Sequence, residues 1–285
     1  MAQDKVPGRK DHRDRAPETG LGEKGHAGDL NGFTAFLAKE LTQILRTQRL
    51  LIVAVVFLLL GLMNAPLAKF TPEILELAGG SELASLGIIL PEPTAFEAWA
   101  QFFSNVGQMG VLTILLVCGS ALSGERKQGT LVLPLTKGLG RVGVVLVKFL
   151  GTSLLWTAGF LVAVFSSIIY TIMLFPGESV DNLVLGLASF WLFGEFLIAL
   201  IPLSSTLVKG SMGGLVLPGG LLFLMLVLGS FPDLFFYSPM QLFNNGISVM
   251  SGESLDKLLV PALVAVGIAL AALVAAVIRF RRVEL

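Results

Sequence analysis

Six apolar runs, each long enough to cross a bilayer as a helix, constrain this chain more than any other feature. A helix crossing about 30 Å of hydrocarbon needs roughly 20 residues at about 1.5 Å each. The runs are Leu50 to Ala68, the stretch between Glu97 and Glu125, Phe149 to Phe175, Asn182 to Val208, the stretch bounded by Lys209 and Asp233, and Leu258 to Ile278. They are too long and too closely spaced for the buried helices of a soluble fold. They also lack the alternation of a membrane barrel. The expected fold class is an all-α integral membrane protein with six transmembrane helices. The fifth run is the weakest, because Gly213, Gly214, Pro218, Gly219 and Gly220 can break it.

Composition agrees and excludes other classes. Charged residues make up 14 % of the 285 and hydrophobic residues 54 %, against about 25 % charge in soluble domains. The polar surface is too small for soluble domains of this length, which argues against a soluble enzyme. The formal net charge is zero, so there is no basic excess to bind nucleic acid. Cys118 is the one cysteine, which excludes an internal disulfide and a Cys-rich metal site. His12 and His26 lie in a polar leader and read as solvated tail residues. No metal site and no bound cofactor are expected.

The placement of charge sets an orientation. The segment before the first run, the loop after the second, the link after the fourth and the segment after the sixth hold 18 of the 20 Lys and Arg residues. The opposite loops hold only Lys69 and Lys257, with ten acidic residues. By the positive-inside rule the chain is expected to be a multi-pass cell-membrane protein with both termini cytoplasmic.

The flanking pieces read as follows. Residues 1–30 mix both charges with Gly and Pro, carry little apolar content and are expected to be disordered; they do not read as a signal peptide. Residues 31–49 form an amphipathic interfacial helix. Phe33, Phe36, Leu37, Leu41, Ile44 and Leu45 recur at helical spacing, with Lys39, Glu40, Gln43, Arg46 and Gln48 on the other face toward lipid headgroups. Residues 50–285 make the six-span domain. The outer loop from Lys69 to Glu97 is acidic and expected to pack as one or two short helices. Residues 231–250, with Phe231, Leu234, Phe235, Phe236 and Tyr237 between Pro232 and Pro239, fit an outer re-entrant segment.

The inner loop, 124–148, is the most informative segment. Glu125, Arg126 and Lys127 close the second run, and Gly129 and Thr130 make a turn. Leu131, Val132, Leu133 and Leu135 form an apolar strip, and Gly138 and Gly140 make a second turn before Arg141 and Lys148. Taken alone, this reads equally as an ordinary loop or as a docking element for a soluble subunit.

With the amphipathic helix FTAFLAKELTQILRTQR and the loop GERKQGTLVLPLTKGLGRVGVVLVK, the chain resembles the membrane subunits of ABC-2 type transporters from residue 33 onward. The family pattern, roughly E-R-x-x-G-T-L-E-x-L-L-x-x-P-x-x-R with a following Lys, is matched by Glu125, Arg126, Gly129, Thr130, Leu131, Arg141 and Lys148. Val132 replaces the expected Glu, and the proline comes early, as Pro134. The pair Ser238-Pro239 also resembles the family's outer re-entrant region. The resemblance implies a permease, acting as an exporter, that pairs with a second permease as a homodimer or a heterodimer. It further implies two soluble ATPase subunits that carry ATP and Mg, and a coupling helix in the inner loop. Glu125, Arg126, Gly129, Thr130, Leu131, Leu133 and Arg141 are then the coupling residues. The chain itself is expected not to hydrolyse ATP; no G-x-x-x-x-G-K-[ST] phosphate loop occurs in it.

Inside the spans, Glu195 is the one deeply placed acid. It reads as an interhelical hydrogen-bond partner, as part of a translocation path, or, if the span is offset, as a residue nearer an interface. Gly210 and Gly214 form a small-residue face, as do Ala265, Ala269, Ala272 and Ala276, for packing within the subunit or across a dimer. Pro202 and Pro218 are expected to kink their helices. The rival functional readings are an ATP-independent carrier or channel, and a membrane enzyme or assembly factor.

Overall fold

The computed structural model describes residues 23–85, 92–119, 140–208, 210, 213–229, 231 and 236–282. The elements are α1 (Glu23–Arg46), α2 (Gln48–Ser85), α3 (Ala95–Asn105), a π-helical turn (Val106–Gly110), α4 (Val111–Cys118), α5 (Arg141–Leu174), α6 (Leu183–Leu207), a 3₁₀ turn (Gly213–Leu215), α7 (Val216–Leu228), α8 (Gln241–Met250) and α9 (Asp256–Arg282). Among the described residues there is no strand. Among the described residues, five helical stretches are long and apolar enough to cross a membrane: Gln48–Leu75 of α2, Ala95–Cys118, α5, α6 and α9. The protein is an all-α, multi-pass membrane protein.

Two ends of the bundle are defined by contacts. At the basic end, Phe36 of α1, Val144, Val145 and Val147 of α5, and Ala276 and Phe280 of α9 pack together. Arg141 donates to the carbonyls of Phe280, at 3.1 Å, and Arg281. Gly119 meets Leu215 and Gly214 there, beside Ser205 of α6. At the acidic end, Ala65, Ala68, Ala95, Ala98 and Phe175 form a second cluster. Lys69 Nζ donates to the Leu174 carbonyl at 3.0 Å. The start of α3 is closed by a capping box in which Thr94 and Glu97 bond each other's backbone N–H.

Between the ends lies one aromatic core. Phe57, Phe102, Phe103, Trp156, Phe160, Phe190 and Phe243 contact one another mostly edge to face. Helix α6 is the axis of the bundle, with 67 % of its apolar window buried, and α9 is the outermost helix, with 17 %. Leu259, Leu263, Leu270, Val274 and Ile278 of α9 are exposed, as a lipid-facing side requires.

The structure differs from the sequence reading in several places. Helix α1 begins at Glu23, inside the stretch read as disordered: once the apolar segment from Phe33 supports a helix, each added residue costs little. Helix α2 runs on through Pro66 and Pro72 to Ser85, where a loop with short helices was expected. The fifth run forms only the 3₁₀ turn and 13-residue α7, about 25 Å in length, short of a full span. Pro218 does not kink α7; it stands in the first turn, where a missing N–H forfeits no helical bond. Gly210 and Gly214 share no helix face, since Gly210 has φ +147° outside any helix, while Gly214 lies against the Gly119 carbonyl.

The alanine face of α9 is turned inward: Ala265, Ala272 and Ala276 are buried within the subunit. Residues 213–215 pack at the basic end, whereas the end of α8 lies by the start of α6, where Asn182 Nδ2 donates to the Val249 carbonyl at 3.4 Å. The chain therefore passes from one end to the other between Gly213 and Met250.

Candidate functional site

Three polar arrangements stand out among the described residues of the bundle. The first joins α1 to α5. Phe36, Glu40 and Ile44 are four residues apart, so they form one stripe on α1, and all three are buried. The sequence reading put Glu40 on the headgroup face. The structure instead sets it in the middle of the packed stripe, where Lys148 Nζ meets Glu40 Oε2 at 2.6 Å, with side chains only 3 % and 5 % exposed. Gly151, one turn beyond Lys148, admits this approach: a Cβ there would stand 3.0 Å from Glu40 Cγ and 3.3 Å from Ile44 Cδ1. Leu45, by contrast, is 68 % exposed. Helix α1 thus docks one face on the bundle and leaves apolar area for lipid. The signal in the sequence was the placement of Glu40 at i+4 from Phe36 and i−4 from Ile44.

The second arrangement lies at mid-depth between α5 and α6. Ser153 Oγ donates to Glu195 Oε1 at 2.7 Å. One turn along, Trp191 Nε1 donates to Thr157 Oγ1 at 3.0 Å. Trp156 Nε1 donates to the Trp191 carbonyl at 3.2 Å. Ser153 and Thr157 are four apart on α5, and Trp191 and Glu195 four apart on α6, so antiparallel packing makes two polar rungs. Hydroxyl and indole donors satisfy groups that lipid cannot. The i, i+4 pair Ser153/Thr157 was the overlooked signal.

A third polar node ties α2, α3 and α5 together. Asn105 Nδ2 donates to Asn64 Oδ1 at 2.9 Å, and Ser167 Oγ donates to the Gly61 carbonyl at 2.9 Å. Asn64 Nδ2 donates to the Leu60 carbonyl at 2.6 Å, with Ser167 Oγ at 3.4 Å. Asn105 immediately precedes the π-helical turn.

Of the sequence-derived site residues, Glu125, Arg126, Gly129, Thr130, Leu131 and Leu133 lie outside the described residues. Arg141 is at the basic end, where its guanidinium caps the last carbonyls of α9. Glu195 is some 18 Å along α6 from its C-terminal end, well away from Arg141. Among the described residues, no three His, Cys, Asp or Glu side chains gather to hold a metal ion. Gly119 and Gly140, which bracket the inner loop, both belong to the basic end, along with α1 and the end of α9.

A scan against protein-family models gives no match. A search of curated proteins gives none either.

Proposed function

We propose that this chain is the permease subunit of an ATP-driven transporter of the ABC-2 exporter type. It pairs with a second permease and is driven by two soluble ATPase subunits. The observation that carries the reading is the convergence at the basic end. The inner loop leaves and returns there, between Gly119 and Gly140. Arg141 ties that return to the end of α9, and Lys148 ties it to α1. A force applied to Glu125, Arg126, Gly129, Thr130, Leu131 or Leu133 would reach α1, α5 and α9 together. The loop motif E-R-x-x-G-T-L adds to this reading.

In this proposal the basic end is cytoplasmic. The passage from Gly213 to Met250 counts as the sixth crossing, begun by α7 and ended by α8. Both termini then face the cytoplasm. The permease supplies the path and its reorientation; ATP and Mg are held by the partner.

Purification of the tagged chain in mild detergent from its native host tests this. The expected result is a soluble P-loop ATPase at equal copy number. Its substrate-linked ATP hydrolysis should be lost, with assembly retained, when Leu131 to Leu135 is replaced by Gly and Ser. Transport by a homogeneous preparation with no ATPase would overturn the proposal in favour of an ATP-independent carrier or channel.

A further inference from the structure

A groove opens on the outer side of the bundle between α6, α7 and α9. Its cavity volume is about 560 Å³, and its walls are Leu203, Leu217, Leu221, Leu224, Ile268 and further apolar or small residues. At Gly220, in its wall, a Cβ would meet nothing within 4 Å, so the groove is open there. A second cavity of about 380 Å³ continues it toward the basic end. The two share Leu203 and Ala275 as walls, and the second ends at Arg279 and Arg282.

The dimensions and the chemistry agree on one kind of occupant. From Ile268 to Arg279 the helix rises about 16 Å, half of the ~30 Å hydrocarbon core. The groove is thus one leaflet deep, apolar along its length and cationic at its mouth. Both arginines are exposed on the last turn of α9. Two guanidinium groups at the mouth favour an occupant whose headgroup carries net negative charge over a neutral one.

We propose that this groove binds one anionic diacyl phospholipid, with an acyl chain along Leu221, Leu224 and Ile268 and the phosphate held by Arg279 and Arg282. The inference stands apart from the transporter reading and needs no ATPase partner. Its role is to fill the groove beside the short α7, which no helix covers among the described residues.

The test uses the purified full chain. Native mass spectrometry with dioleoyl phosphatidylglycerol and dioleoyl phosphatidylcholine should show preferential retention of the anionic lipid. A photoactivatable phosphatidylglycerol should form adducts on residues 216–224 and 268–282. The Arg279→Gln/Arg282→Gln variant should lose about tenfold in phosphatidylglycerol retention and become indifferent to headgroup. Arg281→Gln should keep the preference, and Gly220→Phe should weaken retention of both lipids. Equal retention of the two lipids by the unmodified chain, or adducts confined to other helices, would overturn the proposal without recourse to any variant. So would disulfide-linked dimers through Ile268→Cys in native membranes, which would give the groove to a second copy of the chain.

Discussion

Lys148 Nζ and Glu40 Oε2 stand 2.6 Å apart with both side chains nearly closed off, so one ion pair fastens the amphipathic α1 to the foot of α5. Removing one partner of such a pair strands a buried charge and costs about 3–5 kcal/mol, whereas replacing both by apolar groups costs far less. Glu40→Ala and Lys148→Ala should each lower the melting temperature in detergent, and Glu40→Met/Lys148→Met should recover most of the loss. Cys118 is the one cysteine and is buried, so its reaction with a thiol-reactive fluorophore on heating reads unfolding. Single variants that melt like the unmodified chain would show that the pair does not hold α1.

Glu195 should behave as an interhelical acceptor. Glu195→Gln keeps an oxygen for Ser153 Oγ and should leave melting within about 1 kcal/mol, while Glu195→Leu should cost about 1–2 kcal/mol. On the proposed transporter reading, transport should survive Glu195→Gln. Loss of transport at unchanged melting would assign the carboxyl a part in translocation instead.

Gly61 sets the distance between α2 and α5. A Cβ there would lie 2.5 Å from the Ala163 carbonyl oxygen and closer still to Ser166 Oγ, so Gly61→Val should destabilise by about 1–3 kcal/mol through overpacking. Gly219 of α7 has nothing within 4 Å of its Cβ position, and Gly219→Ala should be neutral or stabilising by up to about 1 kcal/mol. Equal effects at the two positions would contradict the packing described.

Asn64 links three helices through Asn105, Ser167 and the Leu60 carbonyl. Asn64→Leu should cost about 1–2 kcal/mol. In a double-mutant cycle with Asn105→Leu the two losses should not add. Additive losses would mean that the Asn64–Asn105 hydrogen bond contributes nothing.

Much of the architecture is legible in local pattern. The apolar runs mark α2, α5, α6 and α9 because a helix in lipid must be apolar over its whole span, and nothing distant can supply that. The same holds for the contrast between a basic and an acidic end. Even the weakness of the fifth run shows in its glycines, which end as a 3₁₀ turn and the short α7.

What only the tertiary structure decided is where polar groups face and what they meet. Glu40 sits at a position that helical spacing allows on either face; it is buried because Lys148, 108 residues away, neutralises it there. Arg141 reads as a loop charge in sequence, yet it caps α9 some 140 residues on. Glu195 announces a burial problem on its own, and Ser153 supplies the answer from another helix. Local sequence sets which residues a helix must hide, because hydration and backbone bonding act within a turn or two. The rotation of each helix and the partner of each buried charge depend on contacts between segments far apart in the chain, which are settled only when the bundle packs.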